Sequence, residues 1–212
     1  MNRGGCSIEI GWACPQAVRG YSDASLRGTD LERRALVRSA KADLDWRVSR
    51  ALVAELCGDR CHGMLSLSHS AGHAVCACAS ARVGIDMERR RERDVVRLAQ
   101  WVCTPAELDD LLRLSSSDRL QHFYVLWTIK EAFVKAANLA FPADMRRIRL
   151  EEGKLMPPFG RWAVAVFELD PDWIVAIVIE ADEGLQNPEC IEWKASRFSS
   201  LPERRLLGWW QA

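Results

Sequence analysis

Gly84-Ile85-Asp86-Met87-Glu88 places two acids two residues apart among apolar neighbours. Small apolar residues and a turn-like Ser80-Ala81-Arg82 precede it, so it reads as a short buried strand. Side chains two apart on a strand share a face. Asp86 and Glu88 therefore point one way, with Cα atoms roughly 6.5–7 Å apart, and Ile85 and Met87 point the other. Two carboxylates on a buried face are costly unless a cation neutralises them. A small set of hard oxygen ligands suits Mg²⁺, which keeps waters and takes substrate phosphate into its shell. An exposed strand face with no ion meets the same spacing.

Working outward, Trp127-Thr128-Ile129-Lys130-Glu131-Ala132-Phe133-Val134-Lys135-Ala136 reads as helix. Trp127, Glu131 and Lys135 stand at i, i+4 and i+8 and form one line along it. If that line meets the strand, Glu131 supplies a third carboxylate and Lys135 stands beside it for a phosphate. The alternative is an ordinary Glu131–Lys135 helix pair worth about 0.2–0.5 kcal/mol. Lys130 lies about 100° around the helix from that line, so a structural salt bridge accounts for it as well as a catalytic role does.

A third motif, Ser66-Leu67-Ser68-His69-Ser70, precedes these two. In order and approximate spacing, over about residues 38–140, the chain resembles the 4′-phosphopantetheinyl transferases. The match is to their long, pseudo-dimeric kind, the type that activates surfactin synthetase. The resemblance implies an α+β fold of two similar lobes related by a pseudo-twofold, here residues 1–98 and 99–212, with the site in the cleft between them. It implies a reaction as well: a carrier-protein serine attacks the β-phosphorus of coenzyme A, takes the 4′-phosphopantetheine arm and releases adenosine 3′,5′-bisphosphate.

Carried over residue by residue, the resemblance makes Asp86, Glu88 and Glu131 the Mg²⁺ ligands, with Asp86 also near the coenzyme. Lys135 holds a diphosphate oxygen, and Glu131 and Lys135 are catalytic. Glu107 matches a glutamate suggested as general base for the serine, although it also closes a capping box with Thr104; Glu131 or a metal-bound water is the other choice. Ser68 and His69 match a pair that contacts the 3′-phosphate of the nucleotide, and Arg38 and Lys41 fall where basic residues serve coenzyme A. Arg89, Arg90, Arg91, Arg93 and Arg97 follow the acidic strand where family members receive an acidic acyl or peptidyl carrier protein. A solvated helix face explains the same arginines. Two departures stand out. Residues 58–64 lack the usual Gly-Lys-Pro segment, with Arg60 a partial substitute, and a glycine-bearing turn after Lys135 is replaced by Ala136-Ala137-Asn138. Asn tolerates left-handed geometry, so that turn is expected to survive.

The totals fit such an enzyme. The chain has 212 residues, enough for a core, with 29 basic and 29 acidic side chains. No global field points to nucleic acid. Residues 1–98 carry 16 basic and 12 acidic side chains, net +4, and residues 99–212 carry 13 and 17, net −4, an asymmetry suited to a polyanionic cofactor. The longest apolar run, residues 173–179, is far below the roughly 20 residues that span a bilayer. No membrane association is expected, and a soluble cytoplasmic monomer with reduced thiols is.

Elsewhere, strands are expected over residues 7–12, 64–70, 73–79, 161–168 and 173–180. Helices are expected over 48–56, capped by Asp43 or Asp45 and ended by Gly58, from Thr104-Pro105, and from Ser115 to about Asn138. The aromatic tail, with Trp193, Phe198, Trp209 and Trp210, is expected to pack back. Two other functions compete. One is a Mg²⁺-dependent phosphatase or nuclease using the same carboxylates. The other is a non-enzymatic zinc module built from Cys57, Cys61, His62, Cys76 and Cys78, whose spacing is not a standard ligand pattern.

Overall fold

In chain order the strands are β1 (Ile8–Ala13), β2 (Met64–Ser70), β3 (His73–Ala79), β4 (Val83–Arg89), β5 (Arg149–Glu151), β6 (Lys154–Met156), β7 (Trp162–Leu169), β8 (Trp173–Glu180), β9 (Ile191–Ala195) and β10 (Arg204–Gln211). The helices are α1 (Thr29–Arg33), α2 (Ala40–Cys57), α3 (Val95–Val102), α4 (Pro105–Arg113) and α5 (Ser116–Ala137). This computed structural model describes residues 8–58, 63–170, 172–181 and 187–212. Among them, no helix is long and apolar enough to cross a membrane.

The strands form two four-stranded sheets, β2-β3-β1-β9 and β10-β7-β8-β4, with β5 and β6 as a separate hairpin. The period-two alternation of the strands builds layers from them. Ile8, Ile10, Val75, Ala77, Ile85, Met87, Val175 and Ile177 face a core between the sheets. On the outer face of the first sheet, Ala13, Ala74 and Cys76 pack under Val48 and Leu52 of α2. On the outer face of the second, Val164, Val166, Ile174, Ala176 and Val178 pack under Ile129, Phe133 and their neighbours on α5. The result is a mixed α+β arrangement, with one long helix on the outside of each sheet.

The strand pairing crosses the expected boundary at residue 98 in both directions. β4 pairs antiparallel with β8, so it belongs to the second sheet, and β9 returns to lie parallel with β1 in the first. The tail packs back as expected, and it does so as regular structure: β10 pairs antiparallel with β7 across an irregularity between Leu206 and Gly208. β9 was not expected as a strand either, and of the remaining unexpected strands β5 and β6 are three residues each, too short for alternation to register.

Helix ends follow local chemistry. Ser39 caps α2 by accepting the Ala42 N–H, in place of the expected Asp43 or Asp45. Asp45 sits farther into the helix and accepts the Gly72 N–H in the β2–β3 turn, where Ala71 (φ 50°) and Gly72 (φ 78°) are both left-handed. Thr104 and Glu107 make a reciprocal capping box on α4, and Ser115 caps α5. α5 ends on Asn138 at φ 52° and ψ 47°, the left-handed geometry expected of it.

Candidate metal centre and its surroundings

The register of β4 puts Asp86 opposite Ala176 and Glu88 opposite Ile174, both members of the core beneath α5. The two carboxylates therefore face the helix. Gly84, on the same face, decides how close the helix comes. A Cβ there would overlap the Ala132 carbonyl oxygen and lie 2.6 Å from the Ala136 nitrogen, so the helix backbone rests directly on the strand. Asp86, Glu88 and Glu131 each then offer a carboxylate oxygen within 4.8 Å of the others.

Asp86 is 2 % exposed. Its Oδ1 accepts Lys135 Nζ at 2.7 Å and the Ser68 hydroxyl at 2.8 Å. Lys135 Nζ also donates to the Ile85 carbonyl at 3.1 Å. Asp86 Oδ2 is buried with no hydrogen-bond partner, an arrangement that costs about 1–3 kcal/mol when left uncompensated. An orphaned carboxylate oxygen beside two more carboxylates fits a hard divalent cation.

Proton affinities carry the same message. Burial, and then the charge of Asp86, push Glu88 up to about 7. The same two causes, in the same order, bring Glu131 to about 7, with Lys135 pulling it back. Near neutral pH these carboxyls are poised between protonated and charged, and a cation would displace their protons. The Trp127 indole N–H, one turn before Glu131, is buried near that carboxylate without aligning into a hydrogen bond. Its ring is braced by Phe123 and Phe141 at 5.7 and 6.3 Å.

His69 feels the charges of Lys135 and Arg50, and Arg50 and Arg38 share the Trp46 ring. His69 is exposed, yet its pKa is lowered, first by desolvation; Asp45 opposes the shift, and Arg50 and Lys135 add to it. Arg38 lies over the Trp46 ring at 4.4 Å and bonds the Leu36 carbonyl at 2.9 Å, and Lys41 is exposed in the first turn of α2. Arg50 escaped the sequence reading. It stands one turn after Trp46, pairs with Asp30 at 2.8 Å, and keeps a buried Nε without a hydrogen-bond partner. The available signal was an arginine interrupting the apolar stripe of Val48 and Leu52. Arg60 lies outside the described residues.

Glu107 sits elsewhere. It is 1 % exposed. Its Oε2 accepts Lys130 Nζ and the Thr104 N–H, both at 2.8 Å, and its Oε1 accepts the Leu150 N–H at 2.9 Å. Lys130 donates as well to the Met145 and Ile148 carbonyls. The pair is closed off from solvent and fully occupied.

The arginines after β4 divide. Arg90 is tied to Glu168 at 2.7 Å and to Gln121 at 3.2 Å, and Arg93 lies over the Tyr124 ring at 5.7 Å. Arg89, Arg91 and Arg97 are exposed, with Arg89 3.7 Å from Asp172. Arg91 and Arg93 both act on Glu88 electrostatically, so this rim borders the trio. Of the proposed zinc ligands, Cys61 and His62 lie outside the described residues, and Cys76 is buried in the core under α2.

Comparison with known proteins agrees with this geometry. The profile of the 4′-phosphopantetheinyl transferase superfamily matches residues 82–178, from β4 through α5 to β8. The chain is 28 % identical over 119 residues to the 4′-phosphopantetheinyl transferase Sfp of Bacillus subtilis (strain 168), covering 53 % of each chain. It is 34 % identical over 89 residues to another 4′-phosphopantetheinyl transferase of Bacillus subtilis, covering 41 % of this chain and 39 % of that one. To the 4′-phosphopantetheinyl transferase HetI of Nostoc sp. it is 38 % identical over 77 residues, covering 35 % and 32 %. The matched part thus spans about half the length, or less, of these curated relatives. Neither the phosphatase or nuclease reading nor the zinc module finds support in these matches.

Proposed function

We propose that this chain, whose residues 82–178 match the 4′-phosphopantetheinyl transferase superfamily, transfers the 4′-phosphopantetheine arm of coenzyme A to a serine of an apo carrier protein, acyl or peptidyl. The observation that carries this reading is the meeting of Asp86, Glu88 and Glu131 around an orphaned buried oxygen, with Lys135 at its side. Asp86, Glu88 and Glu131 would hold Mg²⁺. When bound, the ion offsets charge on the coenzyme's diphosphate and on the leaving oxygen.

The protein's own groups do the rest. The serine oxygen forms a bond to the β-phosphorus, and the bond from that phosphorus to the oxygen bridging the two phosphates breaks, releasing adenosine 3′,5′-bisphosphate. Chemistry of this kind depends on positioning and charge neutralisation. Lys135 turns from Asp86 to a diphosphate oxygen as a point charge. His69, Arg50, Arg38 and Lys41 take the 3′-phosphate end of the coenzyme. We assign the serine proton to Glu131, the carboxylate that stands beside Asp86 and Lys135. Glu107, with both oxygens in use and no exposed side-chain surface, holds α4 against α5 instead. Arg89, Arg91 and Arg97 form the rim that steers an acidic carrier.

We read the lobes in space: α2 with β2-β3-β1-β9, and α5 with β10-β7-β8-β4. Residues 1–98 lend β4 to the second lobe, and residues 99–212 lend β9 to the first. The trio lies where β4 meets α5, both in the second lobe, and Ser68 of β2 reaches it from the first. The test is mass spectrometry of apo acyl and peptidyl carriers after incubation with coenzyme A and Mg²⁺. A gain of one phosphopantetheine on the carrier is expected. An unmodified carrier, with phosphate released from generic esters instead, overturns the reading.

A further inference from the structure

Two hydroxyls on one face of β2 reach across to β4, although these strands lie at the edges of different sheets. Ser66 Oγ accepts the Ile85 N–H at 3.0 Å, and Ser68 Oγ donates to Asp86 Oδ1 at 2.8 Å. The Ile85 carbonyl accepts Lys135 Nζ. The free edge of β4 is thus satisfied at Ile85 by side chains, where a neighbouring strand would otherwise pair. Both serines are buried, 8 % and 7 % exposed, so these bonds form out of competition with water.

The two bonds have different consequences. Ser66 holds backbone and so fixes where β4 lies. Ser68 holds a carboxylate. With Ser68 and Lys135 both on Oδ1, the Asp86 side chain is locked about its last torsion, a rotation that is otherwise broad, and Oδ2 is left as the oxygen without a donor. A serine hydroxyl carries a single proton. Here that proton is directed at Asp86.

We infer that Ser68 is a positioning residue for the cation site: it presets Asp86 so that Oδ2 is presented to the metal. Outer partners of metal-binding carboxylates act in this way, orienting the ligand before the ion arrives. The inference rests on the reading of Asp86, Glu88 and Glu131 as a cation site, and its test separates the two.

The test is Mn²⁺ binding to the full chain without coenzyme, read by electron paramagnetic resonance. Ser68→Ala is expected to weaken Mn²⁺ binding about 10- to 100-fold, while Ser68→Thr, which keeps the hydroxyl, stays close to the parent. Ser66→Ala lowers the melting temperature and leaves Mn²⁺ affinity near the parental value. If Ser68→Ala does not fold, Ser68→Cys, nearly equal in volume with a weak donor, carries the same expectation. Parental Mn²⁺ affinity in Ser68→Ala, or a Ser66→Ala loss as large as that of Ser68→Ala, overturns the inference. A parent chain that binds no Mn²⁺ overturns the cation site itself, and the inference with it.

Discussion

α5 makes two lysine–carboxylate pairs, five residues apart, and they are opposites. Lys130 and Glu107 are 2.8 Å apart with side chains 1 % and 0 % exposed, and both Glu107 oxygens are bonded. Lys135 and Asp86 are 2.7 Å apart, yet the lysine is 30 % exposed and one Asp86 oxygen is unsatisfied. Five residues turn a helix through about 500°, so the two lysines leave on different faces. One enters the closed space under α4, and the other meets the seam between β2 and β4. A pair whose hydrogen bonds are complete holds structure. A pair left incomplete, with two more carboxylates beside it, is prepared for something that arrives later.

The contrast is broken most severely at the open pair. Asp86→Ala or Glu131→Ala is expected to abolish transfer almost completely, beyond the roughly 10- to 100-fold typical of changes to outer partners. The fold should be retained, because each change also removes a repelling charge; carrier modification and a melting curve measure both. Transfer at the parental rate in either variant would sink the metal assignment.

The closed pair should respond in stability. Lys130→Met leaves Glu107 charged, buried and unpaired, and is expected to cost about 3–5 kcal/mol of unfolding free energy in a denaturant titration. Lys135→Met should destabilise as well, because it leaves the buried Asp86 without its cation, but it should also abolish transfer, whereas the folded fraction of Lys130→Met should keep transferring. Equal losses of transfer per folded molecule in the two would erase the distinction.

Gly84→Ala tests whether contact between helix and strand sets the geometry of the open pair. Overpacking against the Ala132 carbonyl should cost about 1–3 kcal/mol and lower transfer by pushing Glu131 and Lys135 away from Asp86. Glycine is needed here for close approach, because its Cβ position is filled by helix backbone.

The smallest effect is a pH dependence. Glu88 and Glu131 have folded pKa values raised to about 7 from 4.5. Groups shifted upward contribute stability that is full below their unfolded pKa and is lost as pH rises through the folded value. Without metal, the melting temperature should therefore fall between about pH 4.5 and 7 through these two groups. Glu131→Gln should flatten part of that slope, and added Mg²⁺ should restore stability most at the high end. A slope unchanged in Glu131→Gln would place the titration elsewhere.

Much of this was legible in the residues. The alternation of Asp86 and Glu88, the line of Trp127, Glu131 and Lys135, the Thr104–Glu107 box and the left-handed Asn138 all depend on neighbours within a few positions. Backbone geometry over so short a span leaves little choice. Less legible was anything requiring a distant partner. Glu107 matched a catalytic glutamate in the resemblance, and only the approach of Lys130 and Leu150 reveals how closed its surroundings are.

The strand, the helix, the three acids and the resemblance they carry could all be read from the residues alone. Tertiary structure alone decided that β4 joins the second sheet and β9 the first, that α5 lies against Gly84, and that Ser68 reaches Asp86. The reason is physical: side-chain direction is written by local periodicity, whereas pairing is a competition among all exposed edges and faces of the chain, settled only when the whole core closes.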